Sequence, residues 1–175
     1  MNDKKILLIR LLISFLVVIL ILGIFLFYNY WPILTGQRII LDTRPVDPFD
    51  PFRGQYMDIG YEISRLTDVG EFNVGDTIYV LLEKDQKGIW RYNGTSKIKP
   101  SNKDFIKGKV ESIYGNSMWV LYGIEQFFFE KNAEVPTQNI TVEISVSNSG
   151  RAKLIQLLQN GKPIEIEYSE FSLRG

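Results

Sequence analysis

The sequence predicts a mainly β protein, in which a single N-terminal transmembrane helix precedes one β-rich exterior domain. Two observations lead to this fold class: an almost unbroken apolar run over residues 6–27, and many short alternating segments separated by turn residues after it. The chain beyond the run has about 140 residues, the size of one compact domain. We expect a cytoplasmic flank at 1–5, a membrane anchor at 6–31, and a barrel- or sandwich-like domain at 35–175 with one or two short helices.

The apolar run reads ILLIRLLISFLVVILILGIFLF and contains one charged residue, Arg10. As a helix it would be about 33 Å long, enough to cross a hydrocarbon core of about 30 Å. Arg10 lies near the N-terminal end of the run, where its long side chain can carry the guanidinium back to the headgroups. The aromatic cluster that follows, from Tyr28 to Trp31, is typical of the water interface, and Pro32 is predicted to end the helix.

The charges beside the run predict its orientation. Lys4, Lys5 and Arg10 outweigh Asp3, so the N-terminus is expected in the cytoplasm and the chain after about residue 35 on the outer side of the cytoplasmic membrane. A cleaved signal peptide is the alternative. It is disfavoured because the run exceeds the usual apolar core of about 7 to 15 residues. No small-residue cleavage site follows either, since the first alanine of the chain is Ala133.

The composition excludes several functional classes. The chain has no cysteine and no histidine, which excludes disulfides, thiol nucleophiles and thiolate metal sites and removes the commonest general base. When Asp3, Lys4, Lys5 and Arg10 are set aside, 17 basic and 19 acidic residues remain, so the formal charge of the exterior domain is about −2. The sequence shows no basic stripe, and we expect neither nucleic acid as a partner nor a bound cofactor.

Alternating apolar and polar residues predict the strands of the exterior domain. The segments expected to form strands are 36–43, 55–64, 72–82 after a turn at Gly75-Asp76, 89–92, 105–114, 118–122, 140–146 and 162–168. Three prolines within 44–54 exclude a regular element there. Residues 83–88 are charged and read as the loop of a hairpin.

Turn residues and one change of spacing complete the prediction. Asn93-Gly94 and Gly115-Asn116 are predicted turns, and the second of them joins a hairpin. Residues 150–159 are predicted to form a short helix, because their leucines have the i, i+3, i+4 spacing of one helix face. Asn160-Gly161 would end that helix.

The stretch RPVDPFDPFRGQYMDIGY, residues 44–61, contains a string that is close to a family signature. It resembles the GDYXXLXY family of membrane-anchored prokaryotic proteins. Gly54, Tyr56 and Tyr61 match that string. Gln55 replaces its Asp, and Ile59 replaces its Leu. Because Gln55 is not acidic, we do not expect a carboxylate at this position to be indispensable.

Further segments resemble the family in the expected order after the anchor. They are the strand start at Gly75-Asp76, the segment 122–130, and the start of the predicted helix at 150–152. The resemblance implies no established activity. It does imply a membrane complex, because members of the family are often described as encoded beside polytopic membrane proteins.

The most distinctive set of polar side chains lies in the same stretch. The candidate recognition motif comprises Asp47, Asp50, Arg53, Gly54, Tyr56 and Tyr61. One interpretation is a rigid surface loop that presents two carboxylates to a cation, a sugar or an arginine of a partner. The other is structural: each Asp caps the turn of its own Asp-Pro step, Arg53 pairs with one of them, and the tyrosines pack. Calcium would use oxygen ligands, but no acidic loop of EF-hand spacing is present.

Catalytic sets are weakly represented. A serine–lysine mechanism has no serine available between residues 36 and 63, where it would follow the anchor. Paired carboxylates of glycosidase type could come from the acidic residues between 47 and 62, but spacing in a sequence does not show their separation. The phenylalanines of 127–129, beside Tyr122, are either core or an exposed apolar patch for a membrane partner. We assign no catalytic residue and no metal ligand.

The sequence therefore favours a non-enzymatic function at the membrane. We expect an accessory subunit or scaffold on the extracytoplasmic face, with a polytopic membrane protein as partner. The alternative is a domain that binds envelope carbohydrate or a cation through the segment from Asp47 to Tyr61.

Overall fold

The computed structural model describes residues 2–44, 56–67, 70–101, 104–128, 133–134, 139–164 and 167–168. A long α-helix, α1 (Asn2–Thr35), comes first, and strands dominate the described chain after it. From Lys4 to Thr35, α1 is long and apolar enough to cross a membrane, and its most apolar stretch is not buried against the domain. The prediction of one N-terminal apolar helix followed by a β-rich domain is confirmed.

The predicted helix end at Pro32 is wrong by about one turn, because α1 continues through Pro32 to Thr35. A proline inside a helix removes one backbone N–H and crowds the carbonyl four residues earlier. Because Pro32 has no N–H, the Tyr28 carbonyl four residues earlier lacks its helical hydrogen bond. Gly36 N closes the last turn by donating to the Pro32 carbonyl at 2.9 Å.

The described residues form thirteen strands, most of them short. They are β1 (Gln37–Asp42), β2 (Tyr56–Asp58), β3 (Arg65–Thr67), β4 (Thr77–Lys84), β5 (Trp90–Ser96), β6 (Phe105–Tyr114), β7 (Ser117–Leu121), β8 (Gln126–Phe128), β9 (Ala133–Glu134), β10 (Ile140–Val146), β11 (Ala152–Gln159), β12 (Lys162–Pro163) and β13 (Glu167–Tyr168). A single 3₁₀ turn, Glu62–Ser64, precedes β3.

Nine of these strands form one sheet in the order β12–β11–β10–β1–β5–β4–β6–β7–β3. Neighbouring strands are antiparallel, except that β1 and β5 meet in parallel at Leu41 and Trp90. Two small ribbons, β2–β8 and β9–β13, complete the described strands. The β2–β8 ribbon matters for function, because it forms one wall of a groove described below.

The core comes from the alternation that the sequence shows. In β4, Ile78, Val80 and Leu82 are buried, while the residues between them are more exposed. In β10, Val142 and Ile144 are fully buried in the same way. Each such side chain contributes about 1.5–3 kcal/mol when it is removed from water. The predicted strands at 36–43, 105–114, 118–122 and 140–146 are confirmed within a residue or two.

The predicted helix at 150–159 is wrong, since Ala152–Gln159 forms strand β11. The pairing of β10 with β11 shifts between Glu143 and Ile144, which leaves Ile155 as an extra residue in β11. A β-bulge inserts one extra residue into a strand, so the alternation between the two faces is shifted by one position beyond it. The inward positions Leu154 and Leu157 are therefore three residues apart, a spacing that resembles one face of a helix.

Two predicted turn or stop signals have other roles. Asn93-Gly94 lies inside β5, where the register with β4 shifts between Leu81 and Leu82, and Gly94 has φ +131°. Asn160-Gly161 joins β11 to β12 as a tight hairpin, with φ +52° and +78°. Positive φ at both central residues is the requirement of a type I′ turn, which Asn-Gly satisfies well.

Two predicted strands are shorter than expected. Of the described residues 56–64, only Tyr56–Asp58 is strand, because the chain then turns inward to bury Tyr61 and enters the 3₁₀ turn. The segment predicted at 162–168 is divided into β12, which pairs with β11, and β13, which pairs with β9.

Candidate functional site

Most of the candidate recognition motif lies outside the described residues. Asp47, Asp50, Arg53 and Gly54 are in the segment 45–55, so neither interpretation of the Asp-Pro loop is tested. Tyr56 belongs to β2, where it is placed opposite Phe128. Tyr61 is fully buried. For Tyr61, the structural interpretation, in which the tyrosines pack, agrees with its position.

Tyr61 ties the signature segment to a second family-like segment. Its hydroxyl donates to the Ile124 carbonyl at 2.6 Å, and the Tyr122 hydroxyl donates in the opposite direction to the Ile63 carbonyl at 2.6 Å. Between them, Ile59 N donates to the Glu125 carbonyl at 2.6 Å. We call these three reciprocal bonds the tyrosine clasp. The clasp joins two motifs that are about 60 positions apart in this chain.

The Glu125 carboxylate shapes the second half of the clasp. It accepts the backbone N–H groups of Tyr122, Gly123 and Ile124 at 2.5, 2.9 and 3.0 Å. Burial, and to a lesser extent the charge of Glu125, raise the pKa of both Tyr61 and Tyr122. Both phenols therefore remain protonated donors at neutral pH. We interpret this arrangement as structural.

A groove opens beside the clasp, between the β2–β8 ribbon and the outer face of β7. It has a volume of about 700 Å³. The side chains that matter for its chemistry are Asp58, Ser64, Glu111, Trp119, Gln126 and Phe128. Asp58 and Gln126 face each other across the ribbon. Trp119 is 38 % exposed and Phe128 is 70 % exposed, so aromatic surface is open to the groove.

Ser64 is the unusual group in this groove. It is 5 % exposed, and its hydroxyl has no hydrogen-bond partner among the described residues. A buried hydroxyl without a partner costs about 1–3 kcal/mol. Such a cost is offset when a ligand or a water molecule supplies the missing bond.

The lining predicts the kind of ligand that the groove suits. Aromatic faces pack against the C–H faces of a sugar ring, while carboxylate and amide groups bind its hydroxyls. Asp58, Glu111 and Gln126 supply those polar groups beside Trp119. A metal site is less well supported, because the described residues contain no group of three or more acidic side chains arranged to hold an ion.

Arg91 is the centre of a separate charged cluster. Its guanidinium pairs with Asp85 at 2.9 Å, with Asp42 at 3.3 Å, and with Glu62. The hydrogen bond from Arg91 lowers the pKa of the Asp85 carboxyl. The cluster joins β1, the 3₁₀ turn, the β4–β5 loop and β5. Because one guanidinium pairs with three carboxylates from different parts of the fold, we interpret the cluster as a structural link.

Several side-chain and backbone contacts hold the junction between α1 and the sheet. Ser145 in β10 donates from Oγ to the Pro32 carbonyl at 2.6 Å, and Pro32 is buried. Arg151 lies with its guanidinium 4.0 Å from the centre of the Tyr28 ring. It also donates to the Tyr28 carbonyl at 3.4 Å. That carbonyl is the one left without its helical partner by Pro32.

Sequence reasoning missed several of these residues. Trp119 is an apolar member of an alternating strand, and nothing local distinguishes it from a core residue. Of the two alternatives predicted for 127–129, core applies to Phe127, which packs partly against the core, and exposed apolar surface applies to Phe128. Phe129 lies outside the described residues. The period of two in β8 is the signal that separates them.

Comparison with known proteins identifies the family. The model of the GDYXXLXY family, described as "GDYXXLXY protein", matches residues 18–157. Neither the curated proteins nor the solved structures give a match to the chain. The matched range begins within α1 and reaches almost to the end of β11, so it includes the junction, the clasp and the groove. The chain therefore belongs to the GDYXXLXY family.

Proposed function

We propose that this protein is a membrane-anchored accessory subunit or scaffold on the extracytoplasmic face, associated with a polytopic membrane protein. The observation that carries the proposal is the short, hydrogen-bonded junction between α1 and the sheet. Only Gly36 separates α1 from β1, and Ser145 and Arg151 bind backbone carbonyls of the last two turns of α1. A domain tied in this way keeps one orientation relative to its helix, whereas a flexible linker would let it reorient.

Charge and exposure support the same proposal. Lys4, Lys5 and Arg10 favour an N-terminus in the cytoplasm, which leaves the domain outside. The apolar side chains of α1 are exposed around the whole helix. They suit contact with lipid and with the helices of a partner, where packing and interhelical hydrogen bonds drive association.

The test is photo-crosslinking in native membranes from positions around α1. A photoreactive amino acid at each of positions 15–18 in turn samples the full circumference of the helix. We expect one or two adjacent positions to form adducts with the same polytopic protein, which also co-purifies with the tagged chain in mild detergent. The same amino acid at Gln86, in the β4–β5 loop far along the chain from α1, is the control. If no position on α1 forms a protein adduct and the chain purifies alone, the proposal is wrong.

A second function is favoured by the groove beside the clasp: binding of envelope carbohydrate. The supporting observation is the combination of Trp119 with Asp58 and the unpartnered hydroxyl of Ser64. Asp58 lies within the segment from Asp47 to Tyr61, so this proposal refines the carbohydrate alternative. A cation has less support: Asp58, Glu111 and Glu125 all line the groove, but no three acidic side chains of the described residues are arranged to hold an ion.

For this second function, Trp119→Ala is expected to weaken binding of soluble peptidoglycan fragments by about tenfold or more, the equivalent of losing about 1.4 kcal/mol. The reason is the loss of the flat apolar surface under the sugar ring. Binding is measured by calorimetry on the full chain in detergent, with melting temperatures as a check on folding. Tyr114→Ala is the control, since Tyr114 is 73 % exposed and does not line the groove. Equal binding by both variants, or no binding by the wild type, would exclude the groove as a sugar site.

A further inference from the structure

A second groove lies where the domain meets α1, and its lining is basic. Its volume is about 800 Å³. The charged side chains in its lining are Lys107, Lys109, Arg151 and Lys153, with Glu111 as the single acid, and Tyr28 of α1 also lines it. The rest of the chain beyond α1 is mildly acidic, so this concentration of positive charge is local.

Two distant segments bring these cations together. Lys107 and Lys109 are exposed on the outer face of β6, on either side of buried Gly108. Lys107 N donates to the Gly150 carbonyl at 2.8 Å, which joins the start of β6 to the turn before β11. That contact places Arg151 and Lys153 in the same groove as the two lysines.

The three lysines have no ion-pair partner within the described residues. Glu111 shares the groove but forms no salt bridge with another described residue. Arg151 is committed to Tyr28, with its guanidinium over the ring. The groove therefore holds uncompensated positive charge, and it suits an anion with several acceptor oxygens, such as a phosphate group.

Tyr28 relates the groove to the membrane. It lies at the end of the apolar run, in the aromatic cluster that is typical of the headgroup region. Since Arg151 contacts both the ring and the carbonyl of Tyr28, this edge of the domain lies at the same depth. A basic pocket at headgroup depth, attached to a membrane-spanning helix, attracts anionic lipids.

We propose that this groove binds the phosphate of an anionic phospholipid from the leaflet beside the domain. Lys107, Lys109 and Lys153 bind the phosphate oxygens, and Arg151 holds the wall of the groove against Tyr28. The bound lipid would add to the junction in holding the domain against the membrane. This inference rests on the membrane anchoring in the proposed function, and it adds a lipid class and a site.

The experiment compares lipid preference in the full-length protein reconstituted into nanodiscs. Phosphatidylglycerol with brominated chains, and phosphatidylcholine with the same chains, quench Trp31 at the end of α1 when they lie beside it. We expect the wild type to prefer phosphatidylglycerol. The triple variant Lys107→Gln, Lys109→Gln, Lys153→Gln is expected to lose about tenfold or more of that preference, because each basic residue near anionic lipid contributes several-fold.

The control carries the same change of charge elsewhere. Lys84→Gln, Lys87→Gln and Lys162→Gln alter three exposed lysines that do not line the groove, and we expect their combined effect to be small. Thermal unfolding of both triple variants checks that each is folded. If the two variants lose the preference equally, net charge accounts for it and the site is excluded.

Three further outcomes distinguish a failure of the lipid site from a failure of the membrane anchoring. If the wild type shows no preference for phosphatidylglycerol but binds inorganic phosphate in detergent, the ligand is a free anion and the lipid proposal is overturned. Gln86→Cys introduces a single thiol into a chain without cysteine. Labelling of this thiol by an impermeant maleimide on intact cells shows that the domain lies outside. Membrane-integrated, labelled protein without lipid preference would overturn the lipid site alone. Protein released by alkaline carbonate would overturn the anchoring.

Discussion

Replacing Tyr61 by phenylalanine is expected to lower the free energy of unfolding by about 1–3 kcal/mol, and replacing it by alanine by about 3–5 kcal/mol. The first change leaves the buried Ile124 carbonyl without its donor. The second also leaves a cavity in the core, because Tyr61 is fully buried. The effect is large because the bond is buried, so water cannot replace the lost donor.

Denaturant unfolding of the full chain in detergent, followed by near-ultraviolet circular dichroism, measures both changes. Tyr114→Phe and Tyr114→Ala are the matched controls, because Tyr114 is largely exposed; we expect them to stay within about 0.5 kcal/mol of the wild type. A Tyr61→Phe variant as stable as its control would mean that the bond to Ile124 contributes nothing.

Tyr61→Phe is also expected to change the stability of the protein at alkaline pH. Burial raises the pKa of Tyr61 above its unfolded value near 10. A group of this kind stabilises the fold fully below that value, and its contribution is lost as the pH rises above it. Wild-type stability should therefore fall above about pH 10, and Tyr61→Phe should make that fall shallower. Tyr122, whose pKa is raised for the same reason, keeps the slope from disappearing.

The second large effect is expected at the junction, where Gly36→Ala should separate the domain from the end of α1. A Cβ at this position would overlap Ser145 Oγ and the Pro32 carbonyl oxygen. The carbonyl is backbone and cannot move aside without opening the last turn of α1. Overpacking of this kind costs about 1–3 kcal/mol, to which the bond from Ser145 to Pro32 would be added when it breaks.

Tryptic cleavage after Arg38, one residue into β1, measures this opening directly in protein reconstituted into nanodiscs. We expect cleavage of Gly36→Ala to be several times faster than that of the wild type, since protease access requires the junction to open. Gly23→Ala is the control, because no heavy atom lies within 4 Å of its added Cβ. Equal cleavage rates for the two variants would contradict a rigid junction, and with it the main support for the scaffold proposal.

Local features of this sequence were sufficient for the helix and for most of the strands. The apolar run predicts α1 because its composition alone makes exposure to water unfavourable. Alternation predicts β1, β4, β6, β7 and β10 because side-chain direction in a strand has a period of two. The family also follows from a short string around Tyr56 and Tyr61, and the match over residues 18–157 confirms it. None of these inferences depends on which segments meet.

The bulges show where local reasoning stops. In β11, one extra residue opposite β10 turns a period of two into a spacing of three, so the leucines of 150–159 fit a helix equally well from sequence. In β5, Asn93-Gly94 lies at a similar shift of register, but the same two residue types indicate a turn when only the sequence is considered. Only the partner strand decides between the alternatives, because a bulge is defined by pairing.

The sequence by itself determined the apolar helix, the β-rich class and the family, since each depends on residues that are close together in the chain. The tertiary structure decided what the singled-out residues do. Tyr61 belongs to the tyrosine clasp because it donates to the Ile124 carbonyl, 63 positions away. The end of α1 is joined to the sheet because Ser145 and Arg151 bind the carbonyls of Pro32 and Tyr28, 113 and 123 positions away. Both grooves depend on similar long-range contacts, whose partners are set by the packing of the whole sheet rather than by local spacing.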